Sequence, residues 1–173
     1  MRWEALFADM EAQLAAAERA DVRADVAELV RAERATVHLV DRLRGSVGRQ
    51  VRVHVLGADA VEGELLDAAE QWILVGQGME RRSLVPARAI VAVAGVGSHA
   101  APEPGLVERR LGLGHALRVL ARDRAAVLVR SGDVELAGRL GAVGADHVEV
   151  VARDVRGAVA LVPFASLTTV RTA

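Results

Sequence analysis

Two stretches of the chain, VRVHVLGADAVEGELLDAAEQWILVG at residues 51–76 and AVLVRSGDVELAGRLGAVGADHVEVV at residues 126–151, align with each other at an offset of 75. Gly57 falls on Gly132, Gly63 on Gly138, Leu65 on Leu140 and Val75 on Val150. Farther on, Leu84-Val85-Pro86 matches Leu161-Val162-Pro163 and Val93 matches Val170, both at an offset of 77, so two extra residues lie within 152–160 of the second copy. Self-similarity at a fixed spacing is the mark of a repeated structural unit. The shared glycine spacing and the common LVP tripeptide therefore read as a duplication.

Each copy reads as five short strands. Val51, Val53 and Val55 alternate with Arg52 and His54, the period of a half-buried strand. Gly57 to Asp59 supplies a turn, as Ser131-Gly132-Asp133 does in the second copy. Glu62 to Leu65 forms the next strand, and the glycine inside it marks a bend or bulge. Trp72–Val75, Arg82–Val85 and Ile90–Val93 complete the first copy, with Pro86 ending the fourth strand because it cannot donate to a ladder. The second copy follows over 126–130, 134–142, 147–152, 158–162 and 167–171.

Outside the repeats the period changes. Residues 105–123 place Leu106, Leu113, Leu117 and Leu120 near helical spacing, and the stretch 99–105 with Pro102 and Pro104 is a linker. Over residues 3–44, apolar residues from Trp3, Phe7, Met10 and Leu14 through Leu43 recur every three or four positions. This predicts one long amphipathic, coiled-coil-like helix, or two broken near Asp21. Unbroken it would span roughly 60 Å, more than one small barrel can cover. Part of its stripe must then meet another surface.

Composition narrows the function. The chain has 173 residues, 52% hydrophobic and 26% charged, which supports a folded core and argues against disorder. With no cysteine, disulfides, thiolate nucleophiles and Cys-ligated zinc are excluded. No stretch nears the ~18 apolar residues of a membrane helix, and the start lacks the pattern of a secretory signal, so the expected location is the cytoplasm, without membrane contact. The formal net charge of −1 gives no overall pull toward nucleic acid. All the basic side chains besides histidine are arginines, which fits a GC-rich genome and weakens any single Arg as a sign of phosphate recognition.

A helix followed by a short, strongly bent five-stranded barrel resembles the Sm-like domain. The residues that carry the likeness are Val51, Val53, Val55, Gly57, Gly63, Leu65 and Ile73–Val75, with Leu128, Gly132, Gly138, Leu140, Val148 and Val150 in the second copy. The stretch Leu84 to Ile90 also resembles a PRC-type barrel, and the whole chain resembles a family of high-GC bacteria. The Sm-like resemblance implies RNA held by a residue before the third strand and by a basic pair between the last two. Here those places hold Glu70-Gln71-Trp72 or Ala145-Asp146-His147, and Pro86-Ala87 or Pro163-Phe164. Only Asp146 and His147 are compatible with that chemistry.

Candidate sites follow from residue type. Trp72 offers a stacking platform for a base or a partner side chain, or caps a core. Arg81-Arg82 and Arg109-Arg110 are the basic pairs, and 103–130 carries six arginines against three acids while 1–34 carries five against eight. Asp146 and His147 complete the nucleic-acid candidates. The five histidines show no ligand spacing, and no nucleophile motif is present, so no catalytic residue, metal site, cofactor or small-molecule substrate is expected. Trp3, Phe7, Met10 and Leu14 form the expected protein-binding stripe.

The expected fold is mainly β with helices: a long N-terminal helix over 1–46, a first Sm-like barrel over 47–98, a linker over 99–105, and a helix plus second barrel over 106–173. Bare strand edges invite pairing, so the two barrels should associate edge to edge. The expected function is a non-enzymatic interaction or adaptor protein whose partner is another protein or a second copy. An RNA-binding regulator of the Sm-like type is the alternative.

Overall fold

A computed structural model of the chain describes residues 10, 13, 23, 25, 28–32, 35–78, 80–105, 111–153 and 158–172. The chain divides into two compact units, residues 1–38 and 39–173. In the first, the described residues 28–32 and 35–36 are helical, and Val37 and His38 are not.

The second unit begins with α1 (Leu39–Arg44), followed by β1 (Gln50–Val55), β2 (Val61–Ala69), β3 (Trp72–Gln77), β4 (Arg81–Pro86), a 3-10 turn at Ala87–Ala89 and β5 (Ile90–Ala94). After the connection come α2 (Leu113–Arg122), β6 (Val127–Ser131), β7 (Val134–Val143), β8 (His147–Ala152), β9 (Val159–Pro163) and β10 (Leu167–Thr172). All ten strands join one sheet in the order β5-β1-β2-β3-β4-β10-β6-β7-β8-β9, and every neighbouring pair is antiparallel. No helix among the described residues is long and apolar enough to cross a membrane.

The two halves repeat the same internal order, fifth-first-second-third-fourth. They also repeat their irregularities. The second strand shifts register between Leu65 and Asp67 in one half and between Leu140 and Val143 in the other. The first–fifth pairing shifts at His54/Val55 and at Leu167/Thr169. At the interior glycines the neighbouring strand comes too close for a side chain: a Cβ on Gly63 would collide with the Gly76 carbonyl oxygen, and one on Gly138 with that of Val151. Glycine is required there by close backbone approach.

Each half has its own core. In the first, Val53, Leu65, Ile73, Val75 and Val85 pack beneath Leu43 of α1. In the second, Val129, Val148, Val150, Leu167 and Val170 pack with Leu117 of α2. Trp72 and Leu84, from β3 and β4 of the first half, belong to the second core. The fold is therefore continuous across the midline.

Three expectations are corrected. Two closed five-stranded barrels are not formed: the strands make one open ten-stranded sheet, because β4 pairs with β10 rather than with β5 of its own half. Among the described residues no long N-terminal helix is present. Its pattern is interrupted at Val37-His38, where Thr36 and Val37 are β-branched and poor at continuing a helix, and the helix ahead of the first half is only the six-residue α1. Finally, the first strands align one residue off the glycine register. Val51 pairs Gly63 whereas Val127 pairs Gly138, so Val127 and Val129 fill the core and Leu128 does not.

Candidate functional site

The open sheet ends in two unpaired edges. β5 pairs only with β1, and β9 only with β8. Their sequences, IVAVA and VALVP, contain no charged residue. β5 exposes Val91 at 64%, and β9 exposes Val159 and Leu161, the latter at 63%. Val151 of β8 lies opposite Val159 and is exposed too, which extends the apolar strip by one strand. Edges of folded proteins are ordinarily blunted by charge or proline; here only Pro163, at the end of β9, does so.

The midline shows what such edges look like when covered. At the β4–β10 junction, Leu84 sits opposite Val170 and Ser83 opposite Arg171. Leu84 is 2% exposed, enclosed in the core of the neighbouring half. The Arg82 amide donates to Thr172 Oγ1 at 2.9 Å. From the 3-10 turn, the Arg88 guanidinium donates to the carbonyls of Ala165 (3.2 Å) and Leu167 (2.7 Å), and partial burial there lowers its pKa. Arg88 carried no signal in the sequence. Leu84 and Leu161 did, through the shared LVP tripeptide, but as markers of the repeat only.

The structure places the sequence-derived candidates as follows. Trp3, Phe7 and Leu14 lie outside the described residues, as do Arg109 and Arg110; Met10 is helical and exposed. Trp72 is buried in the second core and donates its indole N–H to the Leu111 carbonyl at 2.8 Å. Beside it, Gln71 Oε1 accepts the amide of Leu113 at the start of α2. Its aromatic face is thus used in packing. Arg81 and Arg82 line an open cleft of about 550 Å³ shared with Glu62 and Glu64, where opposite charges mix, and Glu62 is ion-paired to Arg52. Asp146 and His147 occupy the positions of Gln71 and Trp72 in the second half, four strands away from β3. His147 Nδ1 lies 2.9 Å from Asp146 Oδ1, and this hydrogen bond holds the Asp146 carboxyl below its ordinary range. The nucleic-acid candidates are therefore dispersed over the sheet.

A second notch repeats the first beside Gly138. It is lined by Arg139 and Arg153 with, among the described residues, no carboxylate. Arg118 and Arg122 stand exposed on α2 nearby in sequence. No group of three or more metal-ligating side chains comes together among the described residues. Compared with models of known protein families and with curated proteins, the sequence matches none.

Proposed function

We propose that this chain is a non-enzymatic protein-association module that takes up an extended polypeptide strand along the open edges of its sheet. The observation that carries this reading is the pair of uncharged edge strands exposing Val91, Val159 and Leu161. An added strand would draw affinity from main-chain hydrogen bonds and specificity from alternate side chains. The cytoplasm, as inferred from the sequence, remains the proposed setting.

The test uses a strand whose mating preference is on view. A labelled peptide spanning residues 80–87 (ERRSLVPA) presents the strand that pairs with β10. It should bind the full chain saturably at the equivalent edge, β5. Fluorescence anisotropy should follow the binding, and Val91→Lys should weaken it at least about tenfold by placing a charge on the edge. Equal binding to wild type and variant, or no binding, overturns the proposal.

The notch with Arg139 and Arg153 favours a second reading, RNA binding through phosphate contacts. Affinity for a random RNA pool at about 50 mM salt, falling steeply as salt rises and lost on replacing both arginines by glutamine, would support it. Salt-independent or absent binding rejects it.

A further inference from the structure

We infer that the strand taken up at both edges is supplied by a second copy of this chain, joined head to tail so that β9 of one copy pairs with β5 of the next. The inference rests on the reading of the edges as docking strands. Its basis is the internal junction. Within one chain, the fourth strand of the first half (β4) pairs antiparallel with the fifth strand of the second half (β10). What is left over is one fifth strand, β5, and one fourth strand, β9. The two free edges are the two halves of a junction the molecule has already built once.

Equivalent residues differ in burial only by what covers them. Leu84 is 2% exposed at the junction and its repeat counterpart Leu161 is 63% exposed at the free edge. On the other side, Thr168 is 5% exposed and its counterpart Val91 is 64% exposed. Carrying the internal pairs Val170↔Leu84 and Arg171↔Ser83 across the repeat gives a defined register, Val93 opposite Leu161 and Ala94 opposite Ala160 of the next copy. Neither strand bears a charge, so nothing repels. An isologous pairing of β9 with itself would leave β5 bare, whereas the head-to-tail pairing covers both edges.

The outer junction is weaker than the inner one. Arg88 and Thr172, which anchor the midline, have Ala165 and Gly95 as counterparts, and Trp72 has His147. Association is therefore concentration-dependent. Because the contact is heterologous, each added copy presents a fresh β5 and a fresh β9, and growth ends only if the rotation closes a ring.

Sedimentation velocity of the full chain over a concentration series tests this. The wild type should exceed the monomer mass and grow with concentration. Val91→Lys and Leu161→Lys should each be monomeric alone, yet form a complex of one copy of each when mixed, since each retains the edge the other lacks. Circular dichroism establishes that both variants are folded. A second arm uses the absence of cysteine: Ala94→Cys and Ala160→Cys, prepared separately, mixed and oxidised, should give a mixed disulfide, because directly opposed strand residues lie within disulfide range. A wild type that stays monomeric throughout, a Val91→Lys variant that still assembles, or no preferential crosslink would overturn the inference. Peptide binding by a strictly monomeric chain would sink this inference alone; failure of the peptide as well would sink the strand-docking reading beneath it.

Discussion

Leu84 and Leu161 carry the same tripeptide into opposite surroundings, and that difference is measurable. Leu84 is enclosed by the second core, so Leu84→Ala removes transfer free energy and leaves a cavity, a loss of about 2–5 kcal/mol. Leu161→Ala, at an exposed position of a dilute sample, should change stability by less than about 0.5 kcal/mol. Urea denaturation of both variants at low protein concentration checks the contrast. Asp146 shows a second residue-scale effect. The hydrogen bond to His147 lowers its pKa in the folded chain, so any contribution it makes to stability is present above the unfolded value and fades as pH falls through the folded one. Its carboxylate is exposed, so the readout is its own titration. By NMR it should titrate at lower pH than in His147→Ala, where the value returns toward the ordinary carboxylate range; identical curves would remove the role assigned to His147.

Elements were legible where a period of two met a turn residue. All ten strands lie close to the stretches marked by alternation, glycine and proline, because those signals are local. What was not legible was which edge each strand would choose. A bulge and an interior glycine bend a strand whether the sheet then closes on itself or continues, and nothing in RRSLVP says that its neighbour is β10. The slip in β6 has a similar cause: Ala126-Val127-Leu128-Val129 is apolar throughout, so alternation cannot choose a face, and the glycines alone chose wrongly. Trp72 was legible as an outlier by composition, but its partner Leu111 lies across a linker that the sequence leaves unplaced. Two element-scale outcomes follow. Gly138→Ala should destabilise by about 1–3 kcal/mol, as overpacking does, because its Cβ meets the backbone of Val151. Arg88→Ala, which frees two carbonyls of the β9–β10 connection, should lose about 1–2 kcal/mol after allowing for its partial exposure. Thermal unfolding reads both.

At the scale of the whole molecule, the continuous sheet turns two repeated halves into one cooperative body. Each half has a core, yet the second core is incomplete without Trp72 and Leu84 of the first, and β4 and β10 share a ladder reinforced by Arg88. A half that unfolded alone would strip its partner of an edge strand and open the other core to water, so partly unfolded states lose burial in both places. The expected outcome is a single two-state transition for residues 39–173. Trp72 gives a direct probe, since it stands on a strand of the first half and reports on the core of the second. In a Trp3→Phe background its fluorescence is the only tryptophan signal, and it should trace the same urea curve as far-UV circular dichroism. Leu84→Ala should move both curves together. Two separated transitions, with Trp72 following only one of them, would mean that the midline is a contact between independent halves and that a covered edge contributes little, which would weaken the case for covering the free ones.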